Sequence, residues 1–308
     1  MERLLVTGID TVAGGNLALA LADRCEVLGL YDRIALESPA VQSARWQADE
    51  PTSLASHFEH WQPQWLIHCS PLSAASWDAE AAETADREVA SLAQMAALAE
   101  HWSCPLTILA SDAVFCGPRM FHDERCPGTS NSQRALQQRA AERTLESTSA
   151  LIVRTHAYGW SFGSEPAGFA ELAHASLLSG RTIETDGRRY ATPILVTDLA
   201  ELLWRAHELR LQGLYHLAGA ERTSAHRFVA ELAASLGLLT AAPHEAPHTD
   251  VSWHDETSLN SKRARRALSA STPMLREGID RFVAQAQGGW RSAWRPLGEV
   301  RPLQEMAA

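Results

Sequence analysis

Residues 3–15, Arg3-Leu4-Leu5-Val6-Thr7-Gly8-Ile9-Asp10-Thr11-Val12-Ala13-Gly14-Gly15, run from an apolar stretch into a glycine-bearing turn and then into the Leu/Ala pattern of 16–24. The run 3–8 predicts a buried strand, and 14–24 predicts a helix behind it. Gly8 and Gly14 take the outer positions of a G-x-x-G-x-x-G spacing, with Thr11 in the middle. Such a corner needs glycine because the backbone must bend sharply and then approach a pyrophosphate resting on the helix N-terminus. A second strand, 26–32, ends in Asp32, whose carboxylate suits the ribose hydroxyls of an adenosine. Arg33 beside it leaves room for a 2′-phosphate. The candidate cofactor residues are therefore Thr7, Gly8, Thr11, Val12, Gly14, Asp32, Arg33 and Cys69, and the cofactor they predict is NAD or NADP. Asp10 inside an anion-binding turn and the Cβ of Thr11 argue that this affinity is weakened or lost. The competing explanation is an ordinary β-turn-α corner.

Outward from this corner, short apolar runs alternate with Ala-rich segments of helical period. The expected elements are a weak strand near 44–48, a helix opening at Pro51, a strand at 65–70 and a long helix over 79–101. A strand at 105–112, a helix over 131–146 and a strand at 150–155 follow. This rhythm predicts an α/β fold, a Rossmann-like doubly wound parallel sheet. After Thr155 the pattern changes to loops and helices, among them an amphipathic helix in 196–209 with its cap at Thr197 or Asp198. The expected organisation is a dinucleotide-binding region over 1–155, to which the helix and strand near 196–217 return. A smaller α/β substrate region spans 156–308.

Of the 308 residues 45% are hydrophobic and 21% charged, which excludes a disordered or collagen-like chain. The net charge of −10 makes nucleic acid a poor partner. Cys25, Cys69, Cys104, Cys116 and Cys126 stand singly, the pattern of reduced thiols. No signal peptide or membrane span is expected, and the location expected is cytoplasmic. Of the 27 basic residues only Lys262 is lysine, so amine chemistry has one candidate in the whole chain.

Further along, Ala110-Ser111-Asp112-Ala113-Val114-Phe115-Cys116-Gly117 resembles the S-T-D-Y-V-F-D-G segment of the extended short-chain dehydrogenase/reductases, in their dTDP-4-dehydrorhamnose reductase branch. The resemblance continues through Leu151-Ile152-Val153-Arg154-Thr155 with Tyr158-Gly159, through Asp186 to Ala200, through Gly213-Leu214-Tyr215-His216-Leu217-Ala218-Gly219, and through Ser258 to Lys262. It implies an NAD(P)-binding sheet, a nucleotide-sugar ligand, a Tyr that donates a proton, a Lys four residues later, and a Ser or Thr, here Ser111, that orients the substrate oxygen.

The chain departs from that pattern at the proton relay. Glu142 falls where the family's G-E ends, so Arg134 occupies the Tyr position and Gln138 the Lys position. A guanidinium cannot act as a neutral acid near pH 7. A non-catalytic or regulatory binding role is therefore expected, with a nucleotide or nucleotide-sugar ligand and either a homodimer or a regulatory protein partner. Arg134 would hold a phosphate or carboxylate. Three alternatives compete. The first is an active reductase in which His122, in the loop after Gly117, is the replacement acid. The second is a serine hydrolase using Ser161 of Gly159-Trp160-Ser161-Phe162-Gly163. The third is a metal held by His244, His248, His254 and Asp255, against which the Pro-rich loop argues, so that no metal is expected.

Overall fold

The computed structural model describes residues 1–47, 51–78, 85–162, 168–181, 183–185, 187–238, 244–245 and 256–299. Seven strands, β1 (Glu2–Thr7), β2 (Cys25–Tyr31), β3 (Gln42–Arg45), β4 (Trp65–His68), β5 (Leu106–Ser111), β6 (Leu151–Thr155) and β7 (Gly213–His216), form one parallel sheet in the order 7-6-5-4-1-2-3. The chain moves from β1 to β2 and β3 on one side, then returns to β4 on the other. β1 and β4 therefore flank the switch point where ligands of such sheets bind, beyond the carboxyl ends of the strands.

Both faces of the sheet are apolar, as the continuous hydrophobic runs require. Side chains alternate between them with period two. Leu4, Val6, Trp65, Ile67, Leu151 and Val153 pack against α1 (Val12–Leu21) and α6 (Val196–Glu208). Leu5, Leu66, Leu106, Ile108 and Ile152 meet α2 (Pro51–Trp61), α3 (Ala85–His101) and α4 (Gln133–Leu145). Four more helices, α5 (Phe169–Leu178), α7 (Ala225–Ser235), α8 (Lys262–Leu268) and α9 (Leu275–Gln287), come from the second half of the chain. The strand at Gly213–His216 does join the sheet, in register with Leu151–Arg154.

Several boundaries differ from expectation, each for a local reason. The helix after the glycine turn begins at Val12 rather than 14, because the Thr11 hydroxyl caps it by accepting from the Gly14 N–H at 3.0 Å. The third strand is Gln42–Arg45, and the end expected for it at 48 lies outside the described residues, as does 79–84 of the long helix. Neither Thr197 nor Asp198 caps α6. Leu195 precedes it, while the Thr197 hydroxyl accepts from Gln285 and Asp198 pairs with Arg281 at 2.8 Å. An unexpected antiparallel pair joins Ile34–Glu37 to Arg295–Glu299, so the C-terminal segment lies against the loop that follows β2. All five cysteines are free thiols. Among the described residues no helix is long and apolar enough to cross a membrane.

Candidate nucleotide-binding site

The turn between β1 and α1 is built by contact distances that admit only glycine. Gly8 has φ +73°, and a Cβ there would lie 1.9 Å from the Cys69 carbonyl oxygen. A Cβ on Gly14 would lie 2.1 Å from the Gly8 carbonyl oxygen. Thr11 fastens the same turn from inside: its hydroxyl donates to the Gly8 carbonyl at 2.7 Å while it caps the helix. Cys69 contributes its backbone, since burial pushes its thiol far above the usual range. The Thr7 hydroxyl is 2.6 Å from His68 Nδ1, inside the core. Val12 opens the helix, and its carbonyl accepts from the Asn16 amide at 2.7 Å.

Asp10 does not oppose an anion in the way its place in the turn suggested. Its carboxylate turns to the loop after β2 and accepts from the Arg33 N–H at 2.9 Å and the Ile34 N–H at 3.3 Å. That contact fixes the backbone next to Asp32, and Asp32 and Arg33 are exposed at the carboxyl end of β2. The C-terminal segment buttresses this corner: the Trp290 indole donates to Asn16 Oδ1 at 2.8 Å and the Trp294 indole to the Gly15 carbonyl at 3.0 Å.

Beyond β4, β5 and α4 lies a cavity of about 540 Å3, lined among others by Ser76, Asp78, Arg134, Arg189 and Thr257. Arg134, which the resemblance sets at the Tyr position, lines it, and its side chain and that of Gln138 are both engaged in structure. The Arg134 guanidinium, almost fully buried, donates to the carbonyls of Ala74 and Ala75. The Gln138 amide donates to the Ser111 carbonyl at 2.7 Å and to Glu142 at 3.2 Å. Glu142 in turn holds Arg154 through two bonds, at 2.9 and 2.6 Å. Ser111 is fully buried; its hydroxyl accepts from the Ala113 N–H at 3.1 Å and lies 3.3 Å from Asp112.

A buried cluster that the sequence did not single out stands behind this cavity. Asp112 and His156, 44 residues apart, meet at 2.7 Å through His156 Nδ1. Ser76 donates to Asp112 through its hydroxyl at 2.7 Å and its N–H at 2.9 Å, and the Thr257 hydroxyl donates to the same carboxylate. Burial alone would raise the Asp112 carboxyl, but the charge and hydrogen bond of His156, with Thr257 and Ser76, outweigh it and hold Asp112 below the ordinary range. Burial raises Asp78, whose oxygens accept from the N–H groups of Phe169 and Ala75. The only signal for this cluster in the sequence was Asp112 inside the segment already noted. Its partners come from three other loops.

The remaining candidates are placed elsewhere. His122 is fully buried, stacked on Phe115 at 4.2 Å, with its ring nitrogens near the Cys126 sulfur and the Glu256 carbonyl. Burial lowers its pKa, so this packing gives no support to His122 as an acid facing a substrate. Ser161 donates to Glu171, which is paired with Arg291. Among the described residues helix α5 begins at Phe169, and 163–167, between it and Ser161, lie outside the described residues. Of the metal candidates, His248, His254 and Asp255 lie outside the described residues, and among the described residues no group of three or more His, Cys, Asp or Glu could hold a metal.

The family described as RmlD substrate binding domain matches residues 2–287. No curated protein matches the chain. A hypothetical dTDP-4-dehydrorhamnose reductase from Sulfolobus tokodaii is similar at 21% identity and a TM-score of 0.73, covering 88% of this chain and 97% of that one. The dTDP-4-dehydrorhamnose reductase of Bacillus anthracis, solved in complex with NADP, is 16% identical at a TM-score of 0.73, over 92% and 99%. The dTDP-glucose 4,6-dehydratase of Bacillus anthracis, solved in complex with NAD, is 14% identical at a TM-score of 0.76, over 94% and 98%. At these identities the likeness establishes the fold, a Rossmann-like parallel α/β sheet.

Proposed function

Because this chain belongs to the RmlD substrate binding domain family, we propose that it binds NAD or NADP at the β1–α1 turn and a nucleotide-sugar in the adjoining cavity, without the Tyr/Lys proton relay, in a non-catalytic or regulatory role. The adenosine half of the cofactor fits the residues present. The glycine cradle is packed to backbone contact, Thr11 caps the helix, and the exposed carboxylate of Asp32 suits ribose hydroxyls. When bound, the nicotinamide would supply hydride chemistry. The observation that carries the non-catalytic part lies opposite that half. The two positions where the relay belongs are an arginine tied to the Ala74 and Ala75 carbonyls and a glutamine tied to the Ser111 carbonyl. Neither group offers a titratable proton near neutral pH. Arg134 thereby braces the loop after β4 against α4, and Gln138 braces the end of β5.

Fluorescence titration with NADH and NADPH is expected to saturate. Nicotinamide absorbance is expected to stay constant when a 4-keto nucleotide-sugar is added. A steady absorbance loss would overturn the non-catalytic reading, and the absence of any dinucleotide binding would overturn the cofactor.

One observation favours a second reading, an active reductase with a replacement acid. His156 carries its Nδ1 proton toward Asp112 directly behind Ser76 and Thr257, both of which line the cavity. If turnover is found, this reading requires it to collapse in His156→Gln and to survive in His122→Gln.

A further inference from the structure

A groove of about 740 Å3 lies away from the cradle, lined by Asp123, Glu124, Arg125, Asn260, Lys262, Arg263, Arg266 and Ala267. Its charges are unevenly engaged. Asp123 accepts from the Arg125 N–H at 3.1 Å and meets Arg119 at 3.4 Å, and Glu124 accepts from the His216 N–H at 3.0 Å. The cations are not neutralised by these acids. Among the described residues Arg125, Lys262 and Arg266 take part in no ion pair, and Arg263 lies over the Tyr215 ring at 4.3 Å. Helix α8 explains the placement. It buries Ala264 and Leu268 against the body, so Lys262 and Arg266, one turn apart, rise together on the groove side while Arg125 stands on the other wall. Like charges at that spacing repel, and with no direct ion pair to Asp123 or Glu124 their grouping is a feature to be explained.

We infer that this groove is a second anion site, for a compact ligand carrying two or more linked phosphates, separate from the dinucleotide cradle. A concave pocket with a cation on each wall matches a polyphosphate chain, since each phosphate can meet a different guanidinium or ammonium. A long polyanion fits less well, because the chain as a whole carries a net charge of −10 and would repel a strand running out of the groove. The segment 256–260 runs between the groove and the cavity proposed for the nucleotide-sugar: Thr257 lines that cavity beside Arg134, and Asn260 lines the groove. The inference is independent of the proposed function.

The test is isothermal titration of the full chain with inorganic tripolyphosphate at fixed ionic strength. Saturable binding is expected in the wild type, weakened at least about tenfold in Lys262→Gln/Arg266→Gln and again in Arg125→Gln, which acts from the opposite wall. These side chains are exposed, so melting temperatures near that of the wild type are expected to confirm that both variants fold. Binding of NADH is expected to be the same in all three proteins. Unchanged tripolyphosphate affinity in both variants would overturn the site. Displacement of tripolyphosphate by NADH would overturn its separateness. Tighter binding of a single-stranded oligonucleotide, lost in the same variants, would overturn the compact ligand.

Discussion

His216 ends strand β7 with no exposure to solvent, and its protonation should control how the protein tolerates acid. Its Nδ1 donates to the His122 carbonyl at 3.0 Å, which fixes the neutral tautomer. Its Nε2 is buried with no partner among the described residues, and the neighbouring position on β6 is Arg154. Burial, then the Arg154 charge, push its pKa from 6.5 down to about 3. The folded pKa is thus below the unfolded one. Between those values the unfolded chain binds a proton that the folded chain refuses, so stability is complete above the unfolded value and falls as pH drops toward the folded value. At one pH unit below the unfolded pKa the loss is about 1.4 kcal/mol, and it approaches about 5 kcal/mol near the folded pKa. Urea denaturation at pH 7.5, 6.5 and 5.5 should therefore show wild-type stability falling by about 1.4 kcal/mol across the series on account of this residue. His216→Gln cannot titrate, and whatever constant offset it introduces, its slope with pH should be flatter by that amount. Burial also lowers His122 and His174, which adds to the fall, while the raised Asp78 and Asp198 carboxyls act in the opposite direction, so the comparison with the variant isolates His216. Parallel slopes for wild type and variant would refute the reasoning.

Glu142→Gln would strip the charge from a carboxylate that holds buried Arg154 at 2.9 and 2.6 Å, and should cost about 3–5 kcal/mol by equilibrium denaturation; a loss below about 1 kcal/mol would mean the pair is solvated. Gly8→Ala combines a left-handed backbone, worth about 1–2 kcal/mol, with a methyl 1.9 Å from the Cys69 carbonyl oxygen, and should lower stability by at least about 2 kcal/mol and abolish NADH quenching. Asp10→Ala removes the acceptor for the Arg33 and Ile34 N–H groups, so NADH affinity should fall several-fold as the Asp32 loop loosens; an unchanged titration would show that Asp32 needs no such support. A fluorophosphonate probe should leave Ser161 unlabelled, because its hydroxyl is donated to Glu171 rather than to an imidazole.

The sheet was legible because its strands carry their own signal. Leu4-Leu5-Val6, Trp65-Leu66-Ile67 and Leu151-Ile152-Val153 are apolar on both faces, and only a sheet covered on both sides accepts that. The glycine corner was legible for a similarly local reason, since a bend that tight excludes side chains at Gly8 and Gly14. Ile34–Glu37 was not legible. Its partner, Arg295–Glu299, is supplied from the far end of the chain, and the alternation of Ile34 and Leu36 with Ala35 and Glu37 is too short to announce a strand by itself. Helix α8 was hidden too, because Lys262-Arg263-Ala264-Arg265-Arg266 reads as charge until Ala264 and Leu268 are seen to face inward.

The cavity shows the limit most clearly. The resemblance to the reductase family set Arg134 and Gln138 against its Tyr and Lys, and the chemistry of the two side chains said what they cannot donate. What they do instead depends on atoms far away in sequence: the carbonyls of Ala74 and Ala75, about 60 residues back, and that of Ser111. An arginine and a glutamine are long donors, so Arg134 reaches the loop after β4 while Gln138 reaches the end of β5. Asp112 is held low chiefly by His156, then by Thr257 and by Ser76, which lies on that same loop and donates to it twice. Releasing Arg134 would therefore act on Asp112 through Ser76. A substitution at Arg134 and one at Asp112 should consequently couple in a double-mutant cycle.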